Sequence, residues 1–316
     1  MAAPLFSVII PLFNKAAHVR EAIESVLSQT LPPQEIIVID NGSTDGGREI
    51  VESISGPIRI LDLDRPGPGG YAGRNLGIMA ASSEWIAFLD ADDLWGPEHL
   101  AIIANGIGAS PQVVAVATRF THVFANHSKL QRIARELECT TTLDLVGFLR
   151  AWLEVKECPM WTGAIAIRRQ TLIDAGLFPD GKAVRGGDKD LWLRVLAKGL
   201  LRYDPTPTAV FHRDSENKVS KSTTTLGVPL IGGTARALMA GASSEEVALL
   251  RRLVNQEIGH YARYAMKHSG RTAIRMGDLY LPEGLGTAAI VLAARLIPAR
   301  LRRGGYELRS RLLARA

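Results

Sequence analysis

The sequence predicts an α/β fold in which a sheet is flanked by helices. Short continuous apolar runs rich in β-branched residues, 6–11 (FSVIIP), 35–40 (EIIVID) and 85–90 (WIAFLD), read as strands buried on both faces. Stretches with helical spacing separate them, so strand and helix alternate through the first ~120 residues, as in a parallel sheet with right-handed crossovers. Each run also ends in polar or acidic residues, and sheets of this kind meet their ligands at the carboxyl ends of the strands.

The elements follow in order. Residues 14–29 place Ala17, Ala22, Ile23, Val26 and Leu27 on one helical face, and Pro32 and Pro33 stop the helix. After the second strand, NGSTDGG (41–47) is a turn-forming cluster leading to a helix through Ile50, Val51 and Ile54. A weaker third strand is expected at 58–61, then a Gly/Pro-rich loop at 65–70 and a helix around 75–81. The central strand 85–90 follows, then a helix from Pro97, a residue suited to a first helical turn, and a fifth strand at 113–118. The second half is less regular. It reads as a helix at 143–152, a loop entering a short strand over 158–167, and a helix at 169–175 closed by Gly176. An amphipathic helix at 188–198 precedes a short strand, 209–211, leading to His212. A helix is expected within 226–241, and another over 243–267, where SSEE resembles a capping box. The sequence shows no internal repeat or low-complexity segment.

Composition excludes several classes. At 316 residues, 47% hydrophobic and 22% charged, the chain has the make-up of a globular protein with a large core. Its two cysteines, Cys139 and Cys158, form no CxxC and no disulfide framework, so a reducing cytosol is the expected compartment. The opening MAAPLFSVIIPLFNK has no basic segment before its apolar run and reads as a strand rather than a signal peptide. Nowhere does an apolar run approach the ~20 residues that span a bilayer. Charge is uneven: residues 1–100 hold 14 acids and 6 bases (−8), whereas 271–316 hold nine arginines and three acids (+6). The front half favours cations. The tail, beside the apolar run 284–294, suggests peripheral contact with an anionic inner membrane face; a helix packed on the main domain explains it equally well.

The densest chemistry lies in WIAFLDADD, where Asp90, Asp92 and Asp93 fall within four residues. In extended backbone Asp90 and Asp92 share a side, and two such carboxylates call for a cation or hydrogen-bond donors. Mg²⁺ or Mn²⁺, held jointly with substrate phosphates, suits hard oxygen ligands of this kind. The plain alternative is an acidic loop capping the next helix.

SVIIPLFNK, EIIVIDNGSTDG, GRNLGI, FLDADD and GDKDLWLRV occur in that order, and together they resemble the inverting, metal-dependent glycosyltransferases of family 2, with the GT-A fold. The resemblance covers residues ~5–220 and implies a mixed sheet flanked by helices, with a helical C-terminal extension. It implies a glycosyltransferase domain at 1–220, divided into a nucleotide-binding half (1–120) and an acceptor half (121–220), with the extension at 221–316. The implied reaction moves a sugar from a nucleotide diphosphate donor, a UDP-sugar, to an acceptor hydroxyl, in cell-surface polysaccharide or glycolipid synthesis. No nucleic-acid partner is expected.

The resemblance also implies residue roles. Pro11, Phe13 and Asn14 would line the nucleotide pocket, Asp40 would accept from the uracil ring, and Ser43 and Asp45 would complete that motif. Arg74 would sit near base and phosphates, Asp90 on the ribose and Asp92 on Mn²⁺ or Mg²⁺, with His212 or Arg213 close to the metal and phosphates. Asp188 would be the general base, with Asp190 the other candidate, and Trp161 would line the acceptor cleft. Gly187 stands where the pattern has Glu, which points to an altered acceptor pocket or reduced activity. Each residue also has a plainer reading: helix capping for Asp40 and Asp188, core or loop packing for Phe13 and Trp161, a surface position for Arg74 and His212.

GPGGYAG, starting at Gly67, contains proline and lacks the strand and downstream acid of a dinucleotide fingerprint, so it reads as a flexible loop over the donor. There is no GxSxG elbow of a serine hydrolase. Two rival functions remain: a nucleotidyltransferase, against which PLFNK replaces a Gly-rich basic signature after the first strand, and a non-catalytic nucleotide-sugar-binding protein, which fits Gly187.

Overall fold

A computed structural model describes residues 4–64, 70–215, 227–267 and 273–296. The expected loop at 65–69, the start of the helix expected from 226, and seven of the nine arginines in 271–316 lie outside the described residues. The chain divides into two units, Met1–Lys182 with Gly187–Lys218 and Ala183–Gly186 with Val219–Ala316.

The first unit opens β1 (Phe6–Leu12), α1 (Val19–Leu27), β2 (Glu35–Asp40), α2 (Gly47–Glu52), β3 (Ile58–Asp62), α3 (Tyr71–Ala80) and β4 (Trp85–Phe88). It continues with β5 (Leu94–Trp95), α4 (His99–Ile107), β6 (Val113–Val123), β7 (Ser128–Leu130), β8 (Thr141–Leu143) and α5 (Leu145–Val155). It ends with β9 (Ile165–Arg168), α6 (Arg169–Asp174), α7 (Gly187–Leu196) and β10 (Leu200–His212). Ten strands form one sheet in the order β3-β2-β1-β4-β9-β6-β10-β5, with β7 beside β6 and β8 beside β10. The four leading strands pair in parallel, in register from Ser7 opposite Glu35 to Leu12 opposite Asp40. Strand β9 is antiparallel to both β4 and β6, which makes the sheet mixed.

The apolar runs fold as expected because both faces are covered. Val8, Ile9, Ile10, Ile36, Ile37, Val38 and Ile39 are all fully buried, and each such side chain contributes about 2 kcal/mol relative to exposure. Asp144 caps α5 by accepting the Gly147 N–H at 2.8 Å. After α6, Gly176 takes φ +81°, with its N–H on Ile173 O and the Leu177 N–H on Leu172 O, closing the helix as its glycine foretells.

Three details depart from expectation. The central strand stops at Phe88, and Asp90–Asp93 form a turn closed by the Asp93 N–H on Asp90 O at 3.0 Å. Asp90 and Asp92 are therefore not in extended backbone, and the side-sharing argument does not apply to them. The strand expected at 209–211 extends over 13 residues, Leu200–His212; its register beside β6 shifts between Leu200 and Leu201 and again between Asp204 and Pro207 and between Pro207 and Ala209, where a proline cannot continue the ladder. Strands β5, β7 and β8, of two or three residues each, lie outside the expected pattern.

The second unit contains α8 (Ile231–Met239), α9 (Ser244–Lys267) and α10 (Leu285–Leu296). Ser243 and Glu246 exchange side-chain and backbone bonds at 2.7 and 3.3 Å, the capping box read in SSEE. Among the described residues, no helix is long and apolar enough to cross a membrane.

Candidate functional site

The loops after β1 and β2 are joined to each other. Asn14, at φ +50°, gives its N–H to Ser43 Oγ at 3.2 Å and accepts the Thr44 N–H on Oδ1 at 2.9 Å. Asp45 accepts the Ala16 and Gly47 N–H groups at 2.8 and 3.0 Å. Asn tolerates this left-handed backbone, and its amide can serve both strands' loops. The result fixes Asp40 at the end of β2, where Oδ1 accepts the Ser43 N–H at 2.9 Å and Oδ2 lies 3.5 Å from Arg48. Arg48 also pairs with Asp62 at the end of β3. Pro11 is half-buried within β1, which runs one residue past it, while the Phe13 ring is 48% exposed beside this frame. An exposed aromatic face at a strand end is unusual for a packing residue and available for stacking.

In the acidic turn each carboxylate has its own partner. Asp90 pairs with Arg74, one turn into α3. Burial works against the Arg74 charge, but the adjacent Asp90 carboxylate, with a smaller contribution from Asp188, outweighs it and raises the guanidinium pKa. Asp188 thus lies within electrostatic reach of Arg74. Asp92 pairs with Lys15 Nζ at 2.8 Å and accepts from the buried Ser215 hydroxyl. Asp93, fully buried, accepts the His212 N–H at 2.9 Å. His212 Nδ1 lies 2.9 Å from the Asp92 carbonyl oxygen. A carbonyl only accepts, so Nδ1 carries a proton.

At the start of α7, Asp188 is half-buried, whereas Asp190 is buried and tied to Arg194 at 2.9 and 3.1 Å, four residues along the same helix. Trp161 stacks on Phe211 at 4.6 Å and leans on Phe120 at 4.6 Å, so it is held by packing next to His212. Three sets of the expected residues are joined at the sheet's carboxyl edge: Asp40 with Ser43 and Asn14, Arg74 with Asp90, and Asp92, through its carbonyl oxygen, with His212. Among the described residues, no three or more His, Cys, Asp or Glu side chains gather as a protein-only metal site.

Lys15, Ser215 and Arg48 carried no assigned role in the sequence. Lys15 closes the PLFNK segment and meets Asp92 across 77 residues. Its position directly after Asn14 at a strand end was the available signal.

Comparison with known proteins bears on this site. The family model described as glycosyl transferase family 2 matches residues 7–174. An uncharacterized glycosyltransferase of Rickettsia felis is 32% identical over 196 residues, 62% of this chain and 31% of that protein. The putative teichuronic acid biosynthesis glycosyltransferase TuaG of Bacillus subtilis is 37% identical over 100 residues, 31% of this chain and 39% of that protein. The chain spans about a third of the length of the curated relatives it matches. Among solved structures, S. aureus TarS 1-349 in complex with UDP-GlcNAc aligns with a TM-score of 0.71 at 17% identity, covering 92% of this chain and 81% of that one. That likeness is one of fold.

Proposed function

The chain belongs to glycosyl transferase family 2, and from that premise we propose that it transfers a sugar from a UDP-sugar to an acceptor hydroxyl with inversion at the anomeric carbon. The observation that supports this reading is one edge of the sheet's parallel strands: Asp40 ends β2, and the turn after β4 carries Asp92 and Asp90, the latter paired with Arg74 of α3. TarS, whose fold this chain shares, holds UDP-GlcNAc, and that supports a UDP-sugar as donor. TuaG, named for teichuronic acid biosynthesis, supports an acceptor in cell-surface polysaccharide synthesis.

In this reading the Phe13 ring stacks on uracil, with Pro11 and Asn14 shaping the pocket and Ser43 holding its loop. The second Asp40 oxygen reads the uracil N–H. Asp90 takes the ribose hydroxyls. Arg74 and Lys15 supply positive charge for the diphosphate, the guanidinium matching two oxygens at once. Asp188 accepts the acceptor's proton as its oxygen attacks C1. Asp190 is occupied by Arg194, which favours Asp188 as base. Trp161 forms a wall on the acceptor side.

The Asp92 carboxylate, with His212 beside its backbone, would hold a divalent cation of the Mg²⁺ or Mn²⁺ type together with the donor's phosphate oxygens. When bound, that ion neutralises charge on the leaving UDP. Lys15 Nζ lies 2.8 Å from Asp92 Oδ2, so the ammonium and the ion would share this carboxylate.

The test is thermal-shift and calorimetric titration of nucleotide sugars with and without Mn²⁺, followed by a transfer assay. A Mn²⁺-dependent shift with UDP and a UDP-sugar is expected. No shift with any nucleotide sugar sinks the reading. Gly187 favours a second reading, a nucleotide-sugar-binding protein, which predicts the same binding without turnover.

A further inference from the structure

Gly187 opens α7 directly before Asp188, and its surroundings leave no room for a side chain. A Cβ there would stand 2.7 Å from Pro179 Cγ and 2.8 and 2.9 Å from Cζ and Cε2 of the Tyr71 ring. The same Tyr71 hydroxyl accepts the Gly187 N–H at 2.9 Å. Tyr71 is itself buried and begins α3, one turn before Arg74. Its ring stacks on Phe178 at 5.8 Å with 11° between planes. Phe178 is anchored to α3 by Asn75, which exchanges two bonds with its backbone, both at 2.9 Å. Arg74 lies over the other side of this construction, 5.8 Å from the Phe178 ring.

Resting on the proposed transferase reading, we propose that Tyr71 is the positioning residue for Asp188. Its hydroxyl holds the first amide of α7, and its ring occupies the volume that a side chain at 187 would need. Tyr71 and Gly187 are thus a matched pair, each required by the other. The arrangement sets the distance from the α3 arm, which carries Arg74, to the carboxylate that takes the acceptor's proton. Tyr71 and Asp188 both act on the Arg74 charge, so the three groups lie close enough for this coupling to matter. A base displaced by an ångström loses rate without losing donor affinity.

Tyr71→Phe keeps the ring and removes the acceptor of the Gly187 N–H. It should lower kcat about tenfold while the donor KM and UDP affinity stay within about twofold. Gly187→Ala should lower kcat by a similar factor in the native background and by a smaller factor in Tyr71→Ala, where the ring is gone and Pro179 Cγ, 2.7 Å from the Cβ position, is the one close neighbour left of the two. Tyr71→Phe with native kcat overturns the inference. So does a loss of kcat and UDP affinity in equal measure, or additive behaviour of Gly187→Ala with Tyr71→Ala. A native protein that neither binds UDP nor transfers sugar overturns the underlying reading, and the inference falls with it. Native transfer together with an unaffected Tyr71→Phe removes the inference alone.

Discussion

Strand β2 carries a carboxylate at each end, and the two are bound in opposite ways. At its start, the Glu35 side chain accepts from the Ser7 hydroxyl at 2.7 Å, from the Ser82 N–H at 2.7 Å and the Ser82 hydroxyl, and from Arg59 at 2.9 Å. At its end, Asp40 has one backbone N–H at 2.9 Å and an arginine at 3.5 Å that is shared with Asp62 and Glu52. Glu35 is committed to donors that are part of the fold. The Asp40 oxygen facing Arg48 is held by a long contact to a side chain with other partners. The difference separates two acids at opposite edges of the sheet: Glu35, at the amino edge, fastens strands and the turn before β4, whereas Asp40, at the carboxyl edge, keeps capacity for a ligand.

If that division holds, a change at the carboxyl edge removes activity and spares the fold, and a change at the amino edge does the reverse. Asp188→Asn is the strongest test. The amide cannot take a proton, so transfer should fall about 10³-fold, with UDP affinity and the unfolding midpoint unchanged. Transfer at the native rate would remove Asp188 from the role of base, and a fall in stability of comparable size would erase the contrast between the edges.

Glu35→Ala is the converse. It leaves the buried Ser7 hydroxyl without its acceptor and removes the anchor of the exposed Ser82, and should cost about 2 kcal/mol in urea unfolding while donor KM is preserved. The same carboxylate gives the protein an acid limb. Burial alone would push the Glu35 carboxyl up, but the bonds from Ser82, Ser7 and Arg59 prevail and hold it at about 2, below its ordinary 4.5. A carboxyl whose folded pKa is depressed stabilises at pH above its unfolded value and loses that contribution as pH falls from about 4.5 to about 2. Because Arg59 is 50% exposed and screened, the loss should be about 2 kcal/mol across that window. Glu35→Gln should flatten this part of the stability profile; an unchanged profile would assign the acid limb to other groups.

The edge was legible in the sequence where the signal was local. FSVIIP and EIIVID are buried on both faces and ended by polar residues, and this places Asn14 and Asp40 at strand ends without further information. The acidic turn was legible as chemistry and misplaced as geometry, because a strand reading carried two residues past Phe88 put Asp90 and Asp92 on one side. Contacts made over long separations left no local trace. Lys15 meets Asp92 across 77 residues and Tyr71 meets Gly187 across 116, and neither pair has a spacing that a helix or strand period would reveal. Strand β10 was underestimated because Pro205 and Pro207 argue against a ladder, and the register shift between Asp204 and Pro207 that admits them depends on the neighbouring strand. Gly187 shows the same limit from the other side: its departure from the family pattern was visible, and its reason, an aromatic ring already filling the space, required the fold.

The finest test of the contrast is Asp40→Asn. The substitution keeps the size of the side chain and an oxygen that can still accept the Ser43 N–H at its 2.9 Å position, so the loop after β2 should persist. It replaces the outer carboxylate oxygen, the one facing Arg48, with an NH₂ group that donates and cannot accept. An Asp40 that serves only as a turn cap would then lose almost nothing, since Asn caps as well as Asp. An Asp40 that reads the uracil N–H would lose a charge-assisted bond, and UDP affinity should fall about tenfold, or roughly 1.4 kcal/mol, with urea stability unchanged. Calorimetric titration with UDP separates the two. Native affinity in Asp40→Asn would make this acid a second Glu35, part of the frame at the wrong edge of the sheet.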